Sequence, residues 1–155
     1  MITEDLTALE TWAGALLMKM APTQRRALNR QIALELRRRQ SQRITSQRQP
    51  DGTGFIPRKP KKDLRGKAGR IKRKSQKMFT KLRTAQYMRI ATTESQLAVG
   101  FFGRIARIAR VHQEGLTDRV DKHGPDYKYP ARVLLGFSAG ERDMIRDSLL
   151  RHLTP

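Results

Sequence analysis

The chain has 155 residues, enough for one domain or for one domain with an arm. Its 33 Lys+Arg against 14 Asp+Glu give a formal charge of +19 on a composition only 37% apolar, which argues for a polyanionic or acidic partner and is silent about fold. The absence of cysteine excludes disulfide staples, thiolate zinc sites and cysteine nucleophiles; no apolar run approaches the ~18 residues of a membrane span, and Glu4 and Asp5 stand where a secretory signal would be basic, so a soluble intracellular chain with no membrane partner is expected.

Thr3 is placed as an N-cap with acidic residues in the first turn. Leu6, Leu9, Ala13, Leu16, Leu17 and Met20 then recur at three- and four-residue spacing, one apolar stripe of a helix. Pro22 breaks it, and Thr23 caps a second helix on which Ala27, Leu28, Ile32, Leu34 and Leu36 are apolar. That pattern decays after Arg37-Arg38-Arg39, where only Ile44 is apolar. The pair reads as an antiparallel helical hairpin or as one bent helix. Pro50-Asp51-Gly52-Thr53-Gly54 is a turn: Pro fixes φ, Asp bonds the backbone, and glycine accepts positive φ. From Arg58 to Arg83 there are 13 basic residues and one acid, Asp63, with no apolar period before Ile71. This predicts that Lys59 to Arg70 is a mobile arm or a loop ordered only by a partner, the docking cations being Arg58, Lys59, Lys61, Lys62, Arg65, Lys67, Arg70, Lys72, Arg73 and Lys74. Met78, Phe79 and Leu82, at helical spacing within Ser75 to Thr84, bring the chain back into the fold.

Gln86 to Thr93 alternates as a strand, Tyr87, Arg89, Ala91 and Thr93 facing one way and Met88, Ile90 and Thr92 the other. Glu94-Ser95 connects it to an antiparallel partner in which Leu97, Val99 and Phe101 alternate with Ala98, Gly100 and Phe102. After Gly103, a helix places Ile105, Ile108, Ala109 and His112 on one face and Arg104, Arg107 and Arg110 on another, with Gly115 as its C-terminal stop. Leu116 to Asp121 reads as a short strand before the turn His123-Gly124-Pro125-Asp126. Ser138-Ala139-Gly140-Glu141 is a capping box opening a last helix, which buries Met144, Ile145, Leu149 and Leu153 and pairs Asp147 with Arg151. The expected class is α+β: an N-terminal helical hairpin (1–48), a basic loop or arm (49–74), and a body (75–155) of small antiparallel sheet, flanking helices and C-terminal capped helix, a single domain overall.

The charge is unevenly placed. Thr23 to Arg83 holds 21 basic and 3 acidic residues, a net +18, whereas the remainder holds 12 and 11. Catalytic signatures are missing: there is no phosphate loop, dinucleotide fingerprint or nucleophile elbow, and neither enzyme activity nor cofactor is expected. Asp118, Asp121, His123 and Asp126 are metal-capable, and the first three could serve a metal-dependent nuclease, but the group lacks the spacing of an EF-hand or a zinc helix, and a solvated acidic turn is the expectation. His112, on an apolar helical face, is expected to be a structural histidine. The basic window would support salt-dependent nucleic-acid binding, yet Phe55 and Phe79 are its only aromatics and give little for bases to stack on. Basic arms dock on acidic protein as readily as on phosphate, so composition leaves the two balanced. Tyr87, Phe101, Phe102, Tyr127, Tyr129 and Phe137 gather in the C-terminal half beside a small sheet with edges to cover, which points to oligomerisation.

The order of Pro50-Asp51-Gly52, Met78-Phe79, Val99-Gly100-Phe101, Ile108 to Gly115 (IARVHQEG) and Ala131 to Gly136 (ARVLLG) resembles the phage virion morphogenesis family, the gpS-like tail completion proteins of contractile-tailed bacteriophages. The resemblance spans about Leu6 to Leu153 and departs at Glu114, where an aromatic is expected, and in the density of the basic tract. It implies a structural virion protein that completes or terminates the tail at its head-proximal end as a ring, usually homohexameric, and helps join tail to head. It implies localisation to the virion tail after assembly in the bacterial host cytoplasm, with tail tube, sheath or head–tail connector as partners. In that setting Arg104, Arg107 and Arg110 face either a neighbouring subunit or a lumen through which DNA passes. His112, Gly115 and Arg132 are then structural, and the basic arm docks on an acidic partner. The alternative is a stand-alone basic nucleic-acid-binding protein.

Overall fold

In the computed structural model, which describes residues 2–58 and 77–153, α1 (Ile2–Leu17) and α2 (Pro22–Thr45) are followed by the paired strands β1 (Met88–Thr92) and β2 (Leu97–Phe101). Next come α3 (Arg104–Glu114), the antiparallel pair β3 (Thr117–Arg119) and β4 (Asp126–Lys128), and α4 (Ala139–Leu153). These helices and small antiparallel sheets make the class α+β. Among the described residues no helix is long and apolar enough to cross a membrane. Two compact units are formed, one of Met1–Arg39, Ile90–Val99 and Phe137–Pro155, the other of Gln40–Arg89 and Gly100–Gly136.

In the first unit, Met18–Ala21 separates two distinct helices, and Pro22 opens the second rather than breaking the first. Proline suits a first helical position because its missing N–H would have no partner there. The cap is Ala21 and not Thr23: the Ala21 carbonyl accepts from Arg25 N at 3.0 Å, and the Ala21 N–H donates to Gln24 Oε1 at 3.1 Å. Leu28, Ile32 and Leu36, four residues apart, form the core with Met144 and Leu149 of α4. Ala13, Leu17, Met20, Leu97, Val99 and Ile145 pack against it. Leu34 falls on the outer arc and is 38% exposed, while Asn29 turns inward and donates from Nδ2 to the Thr93 carbonyl at 2.9 Å. The capping box forms in both directions, Ser138 N donating to Glu141 Oε2 at 2.7 Å and Glu141 N to Ser138 Oγ at 3.3 Å. Arg151 does not pair with the Asp147 carboxylate; its Nε donates to the Asp147 carbonyl, and the carboxylate lies 3.6 Å from Arg146.

The second unit begins within α2. The four-residue spacing continues through Gln40 and Ile44, both buried, so the helix outlasts its apolar pattern because a glutamine occupies a core-facing position. It ends at Thr45, and the chain turns at Gln47, which has φ 56°. The Gln47 side chain then grips the backbone of Met78 on both sides: Nε2 donates to the Met78 carbonyl at 3.0 Å and Oε1 accepts from Met78 N at 2.7 Å. Met78 and Leu82 are buried, but 77–87 is a run of turns rather than the helix their spacing suggests, with Phe79 at φ 62°. The Pro50 turn closes with Gly52 N donating to the Gln49 carbonyl, and Asp51 Oδ1 accepts from Thr53 N and Oγ1. On α3, Ile108 is 47% exposed, because it lies one turn beyond Arg104 on the cationic arc; Ala109 and Val111 are buried instead.

The segment Arg132 to Gly136 has no regular secondary structure, and side chains satisfy most of its backbone. Arg132 N donates to the His112 carbonyl at 2.7 Å, and Val133 N to Gln49 Oε1 at 2.9 Å. Leu134 N and Leu135 N share Gln113 Oε1 at 2.7 and 3.0 Å, while Gln113 Nε2 donates to the Leu135 carbonyl at 2.9 Å. The Leu134 and Gly136 carbonyls accept from the Arg43 guanidinium at 3.0 and 3.4 Å. Two glycines admit this approach. Gly115 caps α3 at φ 67°, and a Cβ there would stand 2.9 Å from Ala131 N. Gly136, at φ 151°, would place a Cβ 2.9 Å from the Pro50 ring.

Gly115→Ala combines a left-handed backbone with a backbone clash and should lower the unfolding free energy by about 1–3 kcal/mol in urea titration. Gln113→Leu leaves three backbone groups without their partner and should cost about 2–3 kcal/mol, with the amides of Leu134 and Leu135 losing hydrogen-exchange protection before those of α3.

Candidate functional site

The α3 terminus, the β3–β4 pair and the 130–136 segment together position a cationic, aromatic-walled cavity. Arg132 is only 4% exposed. Its Nε donates to the Ile56 carbonyl at 2.6 Å and its Nη2 to the Pro57 carbonyl at 3.1 Å, while Nη1 lies 3.4 Å from His112 Nδ1. The His112 ring is packed edge-to-face between Phe79, at 4.9 Å between centroids, and Tyr129, at 5.0 Å. Phe55 extends this herringbone beyond Phe79 and Tyr127 extends it beyond Tyr129. Arg58, exposed, joins these residues with Met78 and Val120 around a space of about 440 Å³. No carboxylate lines it among the described residues.

Burial, then the Arg132 and Arg58 charges, hold the His112 imidazole below its ordinary pKa. Burial likewise lowers Arg132, reinforced by Arg58 and opposed by Tyr127, but a guanidinium stays charged at any physiological pH. His112 is therefore the neutral member of a cluster that keeps two permanent positive charges.

The expected functional positions are dispersed. Of the basic arm, Arg58 lines the cavity; Lys59, Lys61, Lys62, Arg65, Lys67, Arg70, Lys72, Arg73 and Lys74 lie outside the described residues. Arg104 is exposed at the start of α3. Arg107 binds Asp118 at 2.5 Å and Arg110 binds Glu114 at 3.1 Å, the two arginine side chains being 75% and 71% exposed. Pairs this open to solvent contribute little stability, but they cancel two of the three cations on that arc. His112, Gly115 and Arg132 do come together, through the fold-back of 131–136 on the end of α3.

Among the described residues no group of three or more His, Cys, Asp or Glu could hold a metal. Asp118 is engaged by Arg107, Asp121 Oδ1 accepts from Lys122 N, and Asp126 lies 3.6 Å from Arg119. Sequence reasoning missed Arg43, Gln47 and Gln49, whose side chains build the scaffold behind the cavity together with Gln113, read from His112-Gln113-x-Gly115 as part of a helix end fixed by side-chain bonds. The only nearby signals were the glycines at 115 and 136. A separate groove of about 690 Å³ in the first unit, along α1, α4 and the β1–β2 turn, is walled mainly by apolar side chains such as Leu9, Leu97 and Ile145.

The depressed His112 pKa fixes a pH response. The unfolded chain takes up this proton first, so the stability is complete above about pH 6.5 and is lost as pH falls through the lower folded value. The urea midpoint should drop between about pH 7.5 and pH 5, and the drop should shrink in His112→Asn.

A sequence model of the phage virion morphogenesis family matches residues 4–154. The chain is 40% identical over 139 residues to tail completion protein S of Escherichia phage P2, covering 89% of this chain and 90% of that one. No solved structure matches it significantly. With the matching span reaching from α1 to the end of α4 and including both the α3 terminus and the segment folded against it, the chain belongs to the phage virion morphogenesis family.

Proposed function

We propose that this protein completes the phage tail, acting at its head-proximal end as a ring of identical subunits, a hexamer in the simplest case, and helping to join tail to head. The observation that carries the reading is the 40% identity, over nine-tenths of both chains, to a protein named for tail completion. The protein is then a structural, non-enzymatic component of the virion tail, assembled in the host cytoplasm. Its partners are further copies of itself and tube, sheath or connector proteins.

In this reading the β1–β2 hairpin and its flanking helices form the ring body, with different faces of each subunit meeting around the ring. The cationic window is a composite. Its α2 portion is a fixed helical face, with Arg26, Arg30 and Arg38 exposed, and is not part of an arm. The basic stretch from Arg58 onward supplies the arm that meets an acidic tail surface. The α3 arc favours a subunit interface over a DNA-lined lumen, since Asp118 and Glu114 offset two of its arginines and Ile108 adds exposed apolar surface among them.

Electron microscopy of particles assembled without this protein should show unjoined heads and tails, and labelled protein should decorate one end of purified tails, the end nearest the head. A chain that stays monomeric at high concentration, with no density at tail ends, would overturn the ring. Tight binding to naked duplex with a steep salt slope, and none to tails, would instead favour a nucleic-acid-binding role.

A further inference from the structure

The cavity at Arg132 contains a charge arrangement that the described residues leave incomplete. A buried guanidinium is ordinarily matched by a carboxylate, because hydrogen bonds to neutral carbonyls satisfy its donors without neutralising its charge. Arg132 gives one N–H each to the Ile56 and Pro57 carbonyls, out of the five a guanidinium carries, and has no counter-ion among the described residues. Arg58 stands at the same cavity and adds a second positive charge, and the nearest titratable group, His112, is held neutral. The result is a concave site with a permanent double positive charge and no anion among the described residues.

We propose that this cavity is a docking site for an acidic segment of a partner protein, one Glu or Asp side chain entering between Arg58 and Arg132 with its neighbouring residue against the aromatic wall. Three observations choose a peptide over a nucleic acid. The rings meet edge-to-face, at interplanar angles of 72° to 87°, so they offer no run of parallel open faces on which successive bases could stack. Phe79, Met78 and Val120 supply apolar wall to the stem of an acidic side chain and to an apolar neighbour. The space, about 440 Å³, suits one or two side chains and is closed to a duplex, whose phosphates are met by convex or grooved basic surfaces. The inference is independent of the role at the tail end, because it concerns carboxylate recognition by this chain alone.

The test is titration of the full-length protein with acetyl-Leu-Glu-Leu-amide, followed by NMR of the His112 Cε1–H resonance, with acetyl-Leu-Gln-Leu-amide as the uncharged counterpart. The Glu peptide should shift His112 and leave His123 and His152 unmoved. Its affinity should fall about fivefold in Arg58→Gln, a substitution at an exposed residue that preserves the parent spectrum elsewhere. An equal shift with the Gln peptide, undiminished binding in Arg58→Gln, or no His112 response would each overturn the proposal. So would an oligothymidylate that moves the same resonance at lower concentration than the Glu peptide, which would reassign the site to phosphate.

Discussion

Five residues without secondary structure, Arg132 to Gly136, impose the constraint on which the second unit depends. A buried backbone cannot leave its polar groups unpaired, and here their partners come from far along the chain: Arg43 on α2, Gln49 beside the Pro50 turn, Gln113 on α3. Once those side chains are committed, the positions of α2, the turn and α3 are fixed relative to one another within that unit. The glycines at 115 and 136 are the steric counterpart, since any Cβ would meet Ala131 or Pro50 at 2.9 Å. The sequence stretches around His112 and around Arg132, separate as motifs, are therefore two halves of one joint.

The charge, so prominent in the composition, divides into kinds with different physical consequences. Glu35 is gripped by Arg38 foremost and by Arg39, which holds its carboxyl at about pKa 2, and Arg39 also reaches the Gly140 carbonyl. These cations are part of the local framework of the first unit. Those of α3 are largely offset by exposed acids. Among the described cations Arg132 alone is enclosed, and its value lies in holding carbonyls of the Ile56–Pro57 segment in place while presenting charge to a cavity.

Elements whose signals are local were legible in the sequence. The capping box at Ser138, the left-handed stop at Gly115, the hairpin across residues 93–96 and the Asp51 turn each need only a few neighbouring residues to declare themselves, and each forms as its chemistry requires. What escaped depends on distant partners. Gln40 occupies a core-facing position that apolar periodicity cannot register, so the pattern of α2 fades before the helix does. Gln47 and Gln49 carry no positional signature, because an amide is equally at home in solvent until a loop arrives to use it. Ile108 misled for the opposite reason: helical spacing places it near Ile105, but only the packing of the following chain decides which arc of α3 is covered. His112, Gly115 and Arg132 were read as structural residues with no cavity between them; the aromatic wall and the charge without a partner among the described residues are properties of the folded chain.

The long reach of these side chains governs when the molecule can acquire its shape. Arg43 bonds carbonyls 91 and 93 residues further on, and Arg132 reaches back 76 residues to Ile56. The first unit has the same character, its α2 core being completed by Met144 and Leu149 near the other end of the chain. Closures over such separations follow local helix and turn formation and are the slow events of folding. Neither core can close before its late segments have been made, Arg132–Gly136 for the second unit and Met144 and Leu149 for the first.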